Sequence, residues 1–146
     1  MVNSIKLIPS VFQGPGKEGD FSWMLAQPLY ARALFVFNDN EDQFLAFQRG
    51  IEAGGGNAII RPFQASASRA TGIATGPDYD TLDAKAKAII DKGIQRVNDL
   101  LATGAYDMLV YSASASDPSL LGISIFKVGD DVRRYIVSEL KRLATN

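Results

Sequence analysis

Apolar residues run unbroken through ALFVF at 33–37 and then give way to Asn38, Asp39 and Asn40. A short unbroken apolar run ended by turn formers predicts a strand buried on both faces, as inside a parallel or mixed sheet. Beyond it the period becomes helical. Phe44, Leu45, Phe47 and Ile51 recur along EDQFLAFQRGI, Asp39 or Asn40 can cap it, and Glu41 and Asp42 sit in the first turn, where the helix dipole favours anions. Gly54, Gly55 and Gly56 should end this helix. The clearest helical period spans 81–104, with Leu82, Ala86, Ile89, Ile90, Ile94, Val97, Leu100 and Leu101 in phase. Asp80 or Thr81 can cap it and Gly104 can stop it. Gly93, inside it, would cost about 1 kcal/mol relative to alanine. A last helix should start at Gly129–Asp131 and carry Val132, Tyr135, Ile136, Leu140 and Leu143 on one face. Arg133 and Arg134 cannot both face inward there.

Further strands are expected at 4–9, at 57–63 (cut by Pro62), around Gly72–Ala74, at 107–113 and at 123–128. Residues 11–20 form a Gly/Pro loop, and 21–32, which hold the single tryptophan, show no clear period. Strands alternating with helices predict an α/β sheet layered with helices. All 146 residues fit one domain, with 1–30 as an N-terminal extension packed on it.

Composition narrows the chemistry. At 47% apolar, a chain of this size buries about 68–70% of its unfolded surface and needs no metal or disulfide to hold a core. Lys plus Arg is 15 against 16 for Asp plus Glu, so a nucleic-acid partner recruited by bulk charge is not expected. No run of about 18 apolar residues is present, so neither is a membrane partner. The chain has no cysteine and no histidine. That excludes thiolate nucleophiles, imidazole bases, Ser-His-Asp triads and the usual zinc sites. Carboxylates, lysine, tyrosine, hydroxyls and backbone dipoles remain. The opening MVNSIKLIPSVFQGPG lacks the basic-then-apolar order of a signal peptide, and a cytoplasmic location is expected.

In open α/β sheets ligands lie beyond the carboxyl ends of the strands, and several strand ends here are rich in Asn, Gly, Ser and Thr. Asn38 and Asn40 offer both donors and acceptors, although such residues also simply turn a chain and cap a helix. Gly54, Gly55, Gly56 and Asn57 would let a phosphate approach backbone N–H groups; a plain helix-to-strand connector is the alternative. Thr71, Gly72, Thr75 and Gly76 suggest a tight hydroxyl-bearing loop. Ser112 and Ser114 follow a strand with small residues that leave room for a guest. Arg61 and Arg69 could each pair bidentately with a pyrophosphate. A buried Arg61 would need a ligand or a carboxylate as partner.

The ordering VF-x-DN, then GGGNA, then TGI-x-TG resembles small phage and bacterial proteins related to macro domains. The resemblance spans about residues 33–128. It implies a three-layer α/β/α fold with a mixed central sheet and a pocket for ADP-ribose or a related nucleotide derivative. In it Asn38 and Asn40 match strand-end asparagines, Gly54–Asn57 match the glycine-rich loop, and Ser112, Ser114 and Gly122 match a second phosphate loop weakly. By analogy a phage protein of this kind could act as a sponge for a bacterial immune messenger.

Three functions follow from these residues. The first is a binding module for a nucleotide-derived small molecule, with no cofactor and no metal. The second is an ADP-ribosyl hydrolase with Asp39 as base. The third is an interaction protein that self-associates into a homo-oligomer through Phe12, Phe21, Trp23, Tyr30 and Phe35, a cluster that suits a core better than an interface.

Overall fold

The computed structural model describes residues 5–51, 60–64, 68–123 and 126–145. Its centre is the apolar run read first. That run extends by two residues into β2 (Ala33–Asp39), all but one of whose residues are buried. β1 (Lys6–Ser10), β3 (Ala70–Ala74) and β4 (Met108–Ser112) join it in the order β1-β4-β2-β3. All the pairings between these strands are parallel, so the expected mixed sheet is replaced by a parallel one among the described residues.

Alternation along β2 divides the core. Leu34 and Val36 face one side, against α2 (Glu41–Gln48), α3 (Ala84–Leu101) and α4 (Asp130–Thr145). Ala33, Phe35 and Phe37 face the other side, against α1 (Phe21–Met24), Tyr30 of a single 3-10 turn η1 (Pro28–Tyr30), and Ile60. The unassigned 21–32 therefore becomes the cover of one sheet face. Four of the five N-terminal aromatics meet under that cover: Phe35 of β2 and Tyr30 are buried, and Phe21 and Trp23 pack against their cluster. Only Phe12 is exposed, at 63%.

The crossover from β1 to β2 passes on the α1 face, and the return from β3 to β4 passes on the α3 face. Opposite directions on opposite faces keep one hand for both connections, as parallel crossovers require.

Several element bounds shift for local reasons. Asn40 caps α2, its Oδ1 accepting the Gln43 N–H at 2.8 Å. Chain reversal after α2 comes at Gly50, in the left-handed region at φ +80°, ahead of the three glycines expected to end it. Asp83, rather than Asp80 or Thr81, caps α3 through the Ala86 N–H at 2.8 Å. Gly93 has a packing reason: a Cβ there would lie 3.1 Å from Ile73 Cγ1 and 3.3 Å from the Gly72 carbonyl. Its absence lets α3 lie close on β3. In α4, Arg133 turns inward, donating to the Leu121 carbonyl at 2.7 Å, while Arg134 stays exposed.

Two expected strands change character. Of 57–63, residues 57–59 lie outside the described residues and Arg61–Gln64 form a 3-10 turn, η2, because Pro62 supplies no N–H for a strand ladder. Of 123–128, residues 124 and 125 lie outside the described residues, and Val128 makes an isolated parallel bridge to Tyr79.

Candidate functional site at the carboxyl edge of the sheet

β2 ends in Asn38 and Asp39, and period-two alternation sends their side chains to opposite faces. On the α3/α4 face, Asn38 Nδ2 donates to the Gly122 carbonyl at 2.8 Å. Gly122 N–H in turn donates to the Ser112 carbonyl at 2.8 Å. Residues 113–122 fold back over the end of β4 as a flap, held by an antiparallel bridge between Ala113 and Leu121 and by the Tyr111 hydroxyl on the Pro118 carbonyl. Ser114 lies in this flap, its hydroxyl 3.2 Å from that of Ser116.

On the other face, Asp39 Oδ1 meets Arg61 Nη2 at 2.5 Å, with the two side chains 0% and 1% exposed. The same Oδ1 accepts the Asn40 N–H at 2.8 Å, and Oδ2 has no hydrogen-bond partner among the described residues. Burial pushes the Asp39 carboxyl above its ordinary value, against the opposing pull of Arg61. Gln64, one turn along η2 from Arg61, accepts the Gly72 N–H at 3.2 Å and so covers the outer edge of β3. Gly72 must be bare, because a Cβ would lie 2.9 Å from both Asp39 Oδ2 and the Phe37 ring.

The expected site residues therefore separate. Asn38, Asp39, Asn40, Thr75, Gly76 and Ser112 gather at the carboxyl edge: Thr75 N–H donates to the Asp39 carbonyl at 2.9 Å, and Glu41 N–H to the Gly76 carbonyl at 2.8 Å. Arg61 joins them, but its partner is Asp39. Asn40 Oδ1 is occupied as a helix cap. The short strand expected around Gly72–Ala74 is β3, and it takes Thr71 and Gly72 out of the expected loop, both buried, because the small residues of 70–74 pack against β2. Arg69 is a correction of place: it precedes β3, at the amino end of the sheet. There it donates to the carbonyls of Tyr30 at 2.7 Å, Ala33 at 3.3 Å and Leu25 at 3.5 Å. Gly54, Gly55, Gly56 and Asn57 lie outside the described residues.

The sequence reading missed Gln64, Glu41 and Tyr79. Tyr79 is buried and its hydroxyl donates to Glu41 Oε1 at 2.9 Å; burial first, then that carboxylate, raises its pKa. Gln64 had one signal, Pro62, which ends a strand ladder and admits the 3-10 turn that sets residues 61 and 64 on one side.

α2, α3 and α4 all begin at this edge, where helix dipoles present positive ends. Each start already carries acids: Glu41 and Asp42, the cap Asp83, and Asp130 with Asp131. With Asp78 and Asp80, the exposed rim is acidic. Among the described residues no cluster of His, Cys, Asp or Glu is arranged to hold a metal. No helix of the described residues is long and apolar enough to cross a membrane. Comparison with protein-family models, with curated proteins and with solved structures finds no match to this chain.

Proposed function

We propose that the chain binds ADP-ribose or a related nucleotide derivative at the carboxyl edge of the sheet, as a macro-domain-like binder that sequesters its ligand. The observation that carries this is the strand order. β2 leads outward to α2 and β3, whereas β4 leads back through the flap to α4 over β1, so the chain leaves these adjacent strands in opposite directions along the sheet. Open parallel sheets bind ligands at such a switch point. Here it is bordered by Asn38, Ser112 and the flap, neutral groups that suit a hydroxyl-rich ligand.

The state of Asp39 favours binding over hydrolysis. A general base must reach the proton it takes, directly or through one water, and Asp39 is buried against Arg61. The acidic rim repels an anion, so affinity for ADP-ribose should rise with ionic strength between about 0.01 and 0.15 M, as the Debye length shrinks from about 30 to 8 Å. Isothermal titration with ADP-ribose at several salt concentrations tests the proposal. Expected are saturable heat, tighter binding at higher salt, a several-fold loss in Asn38→Ala, and no product after prolonged incubation. Absence of heat at high micromolar ligand would remove it.

A further inference from the structure

The two edges of the sheet are built differently. η2 and the Gln64 side chain cover the edge of β3. The outer edge of β1 has no strand partner among the described residues. Lys6 N–H donates to Asp107 and Ala113 N–H to the Ser10 carbonyl, so the even-numbered residues of β1 bond inward to β4. Leu7 and Pro9 therefore direct their main-chain groups outward: one N–H, from Leu7, and two carbonyls.

Each face of β1 borders a groove. On the α4 face a groove of about 420 Å³ has Leu7, Pro9, Tyr111 and Val137 in its walls, with Arg134 and Lys141 at its rim. On the α1 face a groove of about 260 Å³ is walled by Ile8, Tyr30, Met108 and Leu29, the last 66% exposed, with Lys6 beside them. No carboxylate lines either groove. Lys6, Arg134 and Lys141 make no salt bridge among the described residues. Arg134 and Arg133 both act on the carboxylate of Asp117 in the flap.

We propose that β1 accepts an extended acidic peptide segment of another protein as an added edge strand, its alternate side chains entering the two grooves. Main-chain bonds to Leu7 and Pro9 supply the docking, the grooves take apolar side chains on both faces, and the three cations select carboxylates. A second copy fits worse. In an antiparallel pair centred on Ile8, Leu7 of one copy would oppose Pro9 of the other, and Pro9 has no N–H to return the bond. The same cations would also meet across the axis. Pro9 thus guards the edge against self-pairing while leaving its carbonyl for a partner.

The test uses the whole chain and a labelled peptide, Glu-Glu-Val-Val-Glu-Glu, which as a strand presents one Val between two Glu on each face, followed by amide NMR shifts and fluorescence anisotropy. Shifts confined to Lys6–Ser10 and the groove walls are expected. The dissociation constant should weaken at least tenfold in the exposed double variant Arg134→Glu, Lys141→Glu, whose circular dichroism should match the parent. The lysine counterpart of the peptide should not bind. Pro9→Val, which restores an outward N–H, should tighten binding several-fold. No binding, shifts elsewhere, or equal affinity in the charge-reversed variant would overturn the proposal. So would concentration-dependent dimerisation by light scattering that Leu7→Lys abolishes, which would make a second copy the occupant. The two surfaces meet at the flap, whose Pro118 and Ser119 also line the α4-face groove; Arg134 and Lys141 belong to the β1 edge alone, so the charge-reversed variant separates a failure here from a failure of ADP-ribose binding.

Discussion

Arg61 and Arg69 are the same residue type near the two ends of β3, and each suggests a pyrophosphate clamp in the sequence. The structure gives them opposite surroundings. Arg61 is buried, and its charge is met by the Asp39 carboxylate across 2.5 Å. Arg69 is half-buried, with carbonyls accepting its guanidinium N–H groups: Leu25 at the cap of α1, Tyr30 at the end of η1, and Ala33 at the start of β2. Helix ends leave carbonyls without intrahelical partners, and a cation there is favourable. One arginine therefore neutralises a charge inside the core, and the other ties down the crossover that covers a sheet face. A guanidinium can satisfy itself on carboxylate or carbonyl as readily as on phosphate, so arginine beside a strand is weak evidence for an anion.

The largest effect should come from breaking the buried pair. Arg61→Met leaves Asp39 buried without its cation and should cost about 3–5 kcal/mol in urea unfolding. The double variant Asp39→Leu, Arg61→Met should recover most of that loss, since apolar replacement of a whole buried pair is often neutral or stabilising. If it stays as unstable as the single variant, the pair does more than satisfy itself. Arg69→Ala should cost less, about 1.5–3 kcal/mol, the range for hydrogen bonds involving a charged group. It should also raise amide exchange in 21–32 more than in α3. Equal exchange in both regions would contradict its role as a tie.

Gly72→Ala, which presses on Asp39 and Phe37, should cost about 1–3 kcal/mol by overpacking, read from the same urea curves. The gentlest probe is pH. Burial raises the Asp39 pKa above 3.8, so the folded state holds that proton more tightly than the unfolded one. Its contribution to stability is complete below 3.8 and is lost as pH rises through the folded value. Asp117, lowered by the Ser119 hydrogen bonds, behaves oppositely, its contribution being lost as pH falls through the folded value. Carboxyl carbon NMR should find Asp39 titrating above Asp117, and in Arg61→Met its value should rise further.

Elements with one strong period were legible: the continuous apolar run of β2, the stripe of α3 and the stripe of α4 each declare a buried face. That Arg133 and Arg134 could not both turn inward followed from helical geometry; that Arg133 is the inward one is set by its bond to the Leu121 carbonyl. Asn40 was legible as a cap for the reason that removes it as a free ligand group, since its Oδ1 accepts the Gln43 N–H. What was not legible is what distance in sequence hides. Asp39 and Arg61 meet through tertiary packing, and the Gly93 contact with Ile73 belongs to neither local pattern. The parallel sense of β1 with β4 depends on a crossover that hydropathy does not encode. Thr71 looked like a loop residue, and Gly72 was read both in that loop and in the short strand that β3 proves to be, because small residues suit both a turn and a tightly packed strand.

The starts of the two longest helices are stitched together: Gly129 N–H bonds the Tyr79 carbonyl, Leu82 N–H bonds the Asp131 carboxylate, and Tyr79 bridges Val128. The register of α4 against α3 is therefore set by these seams rather than by the chain that leads from β4. A protease nick among the exposed residues at the tip of the flap, such as at Ser116, should leave both fragments associated and the terminal helix in place, as an exposed loop tip tolerates cutting when the flanking backbone is bonded elsewhere.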